Sequence, residues 1–122
     1  MLISWLMNSK FNGDISQWDT CNVLSMRYMF AASKFNQNIS DWDVSKVENM
    51  SLMFAHTNFN QDIGQWNTSK VTEMTQLFRG SKFNGDISKW NVSKVEDMSQ
   101  MFSESHFNGD ISQWDVSNVK YM

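Results

Sequence analysis

Two columns of carboxylates are the first residues whose type and spacing could do chemistry. Asp14, Asp62, Asp86 and Asp110 recur at one position, with Asn38 in the series. Asp19, Asp43 and Asp115 recur at another, with Asn67 and Asn91 between them. Carboxylates repeated one unit apart offer the hard oxygen ligands that Ca²⁺ takes. The glycine-rich calcium repeat is absent, however. Asn also replaces Asp freely, which suits turns and caps better than an ion. The columns are therefore expected to be structural, with no metal and no cofactor.

Other reactive side chains are sparse. His56 and His106 stand apart and do not share a slot, so neither a metal set nor a histidine-based triad assembles. Cys21 fills the slot of Ser45, Ser69, Ser93 and Ser117 and is expected to be a drifted repeat position rather than a reactive thiol. As the sole cysteine it cannot form an internal disulfide. No glycine-rich phosphate loop appears. The expectation is that the chain is not an enzyme. A net charge of −3 without a basic cluster lacks the footprint of a nucleic-acid binder.

The elements that position these residues follow from a period. Phe11, Phe35, Phe59, Phe83 and Phe107 each open a unit and are each followed by Asn. Seven positions after each Phe stands Trp18, Trp42, Trp66, Trp90 or Trp114. A fixed period in this range points to stacked units that bury their apolar faces only against neighbours. The chain divides as one repeat domain over 1–122: a half repeat at 1–10, repeats at 11–34, 35–58, 59–82 and 83–106, and a partial repeat at 107–122.

Within the unit 35–58, Val47, Met50, Met53 and Phe54 fall at i, i+3, i+6 and i+7, one stripe of a short helix. Ser45 precedes it with Glu48 three residues on, a capping-box spacing. Trp42 and Val44 alternate with Asp41, Asp43 and Ser45, the period-two pattern of a brief half-buried strand. The Trp column is expected inside, between strand and helix wall. The ten methionines are expected to fill the core in place of Leu.

The pattern Phe-Asn-x-Asp-Ile-Ser-x-Trp-Asp-Val-Ser-x-Val-x-x-Met-x-x-Met-Phe resembles the bacterial surface-protein repeat of about 25 residues. The resemblance covers essentially the whole chain. It implies a leucine-rich-repeat-like fold on secreted or lipid-anchored surface proteins, engaged in adhesion or protein binding. The expected fold is thus a right-handed α/β solenoid of about five coils, each with a short strand and a short helix. The first ten residues carry no basic region and no cleavage site of a signal peptide, and no segment approaches a membrane span.

The expected function is a non-catalytic protein-interaction or adhesion scaffold. Its candidate interaction face is the row Gln17, Asp41, Gln65, Lys89 and Gln113, where polar side chains vary from unit to unit. The alternative is a self-assembling subunit stacking head to tail into a filament. That follows from the chain starting and stopping in mid-unit, which puts Leu2, Trp5 and Leu6 at one end and Trp114, Val116, Val119 and Met122 at the other. Contacts that do not close propagate in this way. The expected partner is another protein or further copies of the chain.

Overall fold

The computed structural model describes residues 6–122. Isolated parallel bridges join Ser25 to Asn49, Asn49 to Glu73, Glu73 to Asp97 and Asp97 to Tyr121. The sequence period is therefore a spatial one, with each unit lying on the next in register. The anticipated strand-and-helix composition is not what builds it. Among the described residues there is no helix, and only these single bridges have strand pairing. The α/β assignment is thereby overturned: each unit is a succession of turns around an apolar core.

Each unit has two arms. The first, at 25–33, 49–57, 73–81 and 97–105, occupies the place of the expected helix. Its N–H groups divide between two destinations. Met50, Leu52, Phe54 and His56 donate to the carbonyls of Glu73, Thr75, Leu77 and Arg79 in the next unit, at 2.7 to 3.1 Å. Met53 and Ala55 donate three residues back, to Met50 and Leu52. A helix would satisfy these donors internally. The alternation needs positive φ, found at Leu52 and His56, both at 56°, and at their equivalents in the other units. Positive φ at the third residue is what a type II turn requires.

The helix loses for a physical reason. Two to three turns of helix are marginal alone, and a helix would turn Ala55 away from the Met50–Phe54 stripe and set Ser51 at its edge. Both are buried here. A neighbour in register offers every second N–H a carbonyl, so the flat ladder covers more side chains at no loss of hydrogen bonds. Ser45 caps nothing: its N–H and Oγ both reach Asp43 Oδ1, at 3.0 and 2.6 Å.

The second arm, at 35–47 and its equivalents, keeps the expected facing but not the expected backbone. Trp42 and Val44 are buried, while Asp41 and Asp43 are exposed. The backbone nevertheless makes turns, with Trp42 N–H donating to Ile39 O and Val47 N–H to Val44 O. Side chains carry this arm's bonds to its neighbour. The indole Nε1 of Trp42, Trp66, Trp90 and Trp114 donates to Ile15, Ile39, Ile63 and Ile87 O at 2.9 to 3.1 Å. Between the arms, Phe54 stacks on Phe59, five residues on, at 4.3 Å and on Phe78, one period on, at 5.9 Å. Both separations suit offset aromatic packing. The methionine stripe closes the core, with Met26, Met50 and Met74 fully buried.

Candidate functional site

The acidic columns are spent locally. Asp14, Asp62, Asp86 and Asp110 each accept, through Oδ1, the N–H two residues on, at 2.9 Å, and Asn38 does the same to Ser40. Asp43 and Asp115 do likewise toward Ser45 and Ser117 at 3.0 Å, as do Asn67 and Asn91. These are Asx turns, which explains the exchange of Asp with Asn. The serine hydroxyl, and then its backbone N–H, holds the carboxyls of Asp14, Asp43, Asp86, Asp110 and Asp115 below the ordinary range. Among the described residues no three His, Cys, Asp or Glu side chains converge.

Cys21 sits in the same turn, with its N–H on Asp19 Oδ1 at 3.2 Å. A hydrogen bond to Asp19, assisted by desolvation, pushes its thiol up, away from the thiolate that reactivity needs. His56 and His106 are both exposed and belong to different columns. The ring of His56 lies over Gly80 of the next unit. The bridge column gathers Glu73 and Asp97. Burial, then Asp97, then Glu96, raises the Glu73 carboxyl.

The row Gln17, Asp41, Gln65, Lys89 and Gln113 is exposed throughout, one residue per unit along one flank. A shallow polar cleft of about 150 Å³ lies beside it, between Asp62, Gly64, Gln65, Asp86 and Lys89. The end residues divide differently. Leu6 is buried, Trp114 is buried at the rim, and Val119 is partly buried against the core. Val116 and Met122 are exposed, Met122 by 78%. Leu2 and Trp5 lie outside the described residues.

Val116, Trp114 and Met122 share a cleft of about 650 Å³ with Met98, Met101 and Phe102. This is the end face of the stack, and its other wall was not anticipated from the sequence. The signal was available: each first-arm residue packs on the residue one unit later, so the last first arm has its apolar edge open. Its polar component has no side-chain signal. The N–H groups of Gln100, Phe102 and Glu104 make no hydrogen bond, although their equivalents Gln76, Phe78 and Gly80 donate to the following unit. The face is therefore an apolar bowl edged by backbone donors.

Among the described residues no helix is long and apolar enough to cross a membrane. No curated protein and no solved structure matches the chain. The family model described as "Mycoplasma protein of unknown function, DUF285" matches twice, over residues 3–80 and over 56–122. The overlapping matches agree with the internal repetition, and the first alone spans more than half of the sequence: the chain belongs to the DUF285 family.

Proposed function

We propose that this chain is a non-catalytic protein-interaction scaffold that engages its partner at the end face. The observation that carries the reading is the apolar cleft of about 650 Å³ at Met98, Met101, Phe102, Trp114, Val116 and Met122. An exposed apolar patch with a few convergent polar groups is where a soluble protein gains most from binding. The Asp and Asn side chains of the two repeated columns are committed to turns, which leaves little chemistry for catalysis there. The resemblance to bacterial surface-protein repeats supports a place at the cell surface.

A second reading, adhesion along the flank, is favoured by the exposed row Gln17, Asp41, Gln65, Lys89 and Gln113. A photo-crosslinking residue separates the two. Placed at position 122 in cells that make the protein, it is expected to give a covalent adduct with another polypeptide, and at position 65 none. An adduct from position 65 alone transfers the function to the flank. Silence at both positions defeats the scaffold reading.

A further inference from the structure

We infer that the ladder arms form a groove for a short peptide with free ends, its carboxylate at Arg27 and its ammonium at Glu73. The groove measures about 390 Å³ and is lined by Arg27, Asn49, Ser51, Leu52, Glu73 and Thr75. Three consecutive units build it, held side by side by the Ser25–Asn49 and Asn49–Glu73 bridges. It shares no residue with the end cleft and does not depend on it. Its floor is Ser51. Six polar residues are buried among the described ones, and five of them use their hydroxyl. Thr20, Thr57 and Thr68 donate to carbonyls, while Ser33 and Ser81 accept from backbone N–H groups. Ser51, 5% exposed, is the exception. Its N–H is bonded to Asn49 Oδ1 at 2.8 Å, but its hydroxyl has no partner among the described residues. A buried hydroxyl left unpaired costs stability, and this one lines the groove.

The two ends of the groove carry opposite charges, neither of them paired. The Arg27 guanidinium rests over the Tyr28 ring, 5.0 Å from its centre. It makes no ion pair, since among the described residues the one ion pair joins Lys120 to Glu96. Glu73 has no cation either, and Asp97 and Glu96 press on it with like charge. Such a carboxylate gains from an incoming ammonium. Backbones paired in register lie about 4.8 Å apart, so Arg27 and Glu73, two units apart, are separated by about 10 Å. An extended tripeptide also spans about 10 Å. Between the charges, Asn49 offers its amide N–H groups, its Oδ1 being taken by Ser51 N–H. Ser51 adds its hydroxyl and Leu52 an apolar wall. A diamine or a dicarboxylate would set one of its ends against like charge; a peptide with free ends matches both.

Three probes test this on the full chain: trialanine, N-acetyl-trialanine and trialanine amide. They are titrated by NMR at about pH 6.5, where an α-amino group is charged. Trialanine is expected to shift the backbone amides of Ser51, Leu52 and Glu73 saturably. Each blocked form is expected to bind at least about tenfold more weakly, having lost one charge-assisted contact. Arg27→Gln is expected to bind trialanine and its amide equally, and Glu73→Gln to bind trialanine and its acetyl form equally. Ser51→Ala is expected to weaken all three probes. Unchanged resonances outside the groove check that each variant stays folded. Absence of a saturable shift in the unaltered chain overturns the inference, as does equal affinity for free and blocked peptides. So does a folded Arg27→Gln or Glu73→Gln variant that keeps the full preference for both free ends, or a Ser51→Ala variant that binds as the unaltered chain does. Any of these results leaves the crosslink from position 122 as the separate test of the end face.

Discussion

The two arms of each unit solve one problem, holding the next unit in register, by opposite means. The ladder arm does it with backbone: Met50, Leu52, Phe54 and His56 donate N–H groups across the junction. The tryptophan arm does it with side chains, through the indole of Trp66 on Ile39 O and the amide of Asn60 accepting from Asn84 N–H at 3.0 Å. The consequence is visible in the sequence. Where backbone makes the bond and the side chain is not buried, residue type drifts: Tyr28, Leu52, Gln76 and Gln100 occupy one slot, and Ala32, His56, Gly80 and Glu104 another. Where side chains make it, Asn and Trp do not change in any unit. Sequence invariance within this chain therefore marks a side chain that is buried or that bonds across the junction, since Met50 and Phe54, buried in the ladder arm, also keep their types across residues 25–105.

The most direct way to break the comparison is Trp66→Ala. It removes a side chain that is 4% exposed and stacks on Trp90 at 6.4 Å, and it leaves Ile39 O without the indole donor. A loss of about 3–5 kcal/mol in unfolding free energy is expected from the cavity alone, measured by denaturant titration. Trp66→Phe retains much of the packing and gives up the hydrogen bond, so it is expected to lose about 1–2 kcal/mol less than the full truncation does. Equal losses for the two variants would mean that the indole N–H, rather than the ring, holds the arm.

This division also explains what was legible beforehand. The facing of Trp42, Val44, Asp41 and Asp43 was correct because alternation records burial, and burial is what the side chains in the tryptophan arm encode. The methionine stripe was correct for the same reason. The backbone path was not legible, because residues at i, i+3, i+6 and i+7 turn inward from a helix and from linked turns alike. Positive φ at Leu52, Gln76 and Gln100 leaves no trace in composition, since these are not the residues that favour it. Ser45 and Glu48 matched a capping box by spacing, yet Asp43 two residues earlier was the real partner. At the end face, Val116 and Met122 were visible as apolar residues. The free N–H groups of Gln100, Phe102 and Glu104 belong to the backbone, and no sequence pattern announces them.

A smaller effect sharpens the ladder arm's tolerance. Gly80, at φ 64°, shares its slot with Ala32 at 54° and His56 at 56°, so the position does not demand glycine. Gly80→Ala is nevertheless expected to cost about 1–2 kcal/mol, from the left-handed backbone and from displacing the His56 ring that lies over it. Combining it with His56→Ala is expected to return part of that loss, as coupled neighbours do. Additive losses in the double variant would show that the ring yields freely and that backbone strain is the whole cost.

The smallest expected effect concerns pH and sets the two arms against each other by sign. In the tryptophan arm, Asp43 is held below its ordinary value by the Ser45 hydroxyl and N–H. A depressed carboxyl contributes stability that is present above its unfolded pKa of about 3.9 and is lost as pH falls through the lower folded value. In the ladder arm, Glu73 is raised by burial, Asp97 and Glu96. A raised carboxyl does the reverse: its contribution is complete below the unfolded value of about 4.3 and is lost as pH rises through the folded one. Asp43→Asn keeps the turn, as Asn67 and Asn91 already do, and removes the charge. It is therefore expected to make the fall of Tm below about pH 4 shallower. Glu73→Gln is expected to raise Tm at neutral pH and to leave it unchanged in strong acid. Thermal melts across that range separate the two, and a Glu73→Gln variant that loses stability at neutral pH would mean that the carboxylate, despite its burial and acidic neighbours, is favoured in the folded chain.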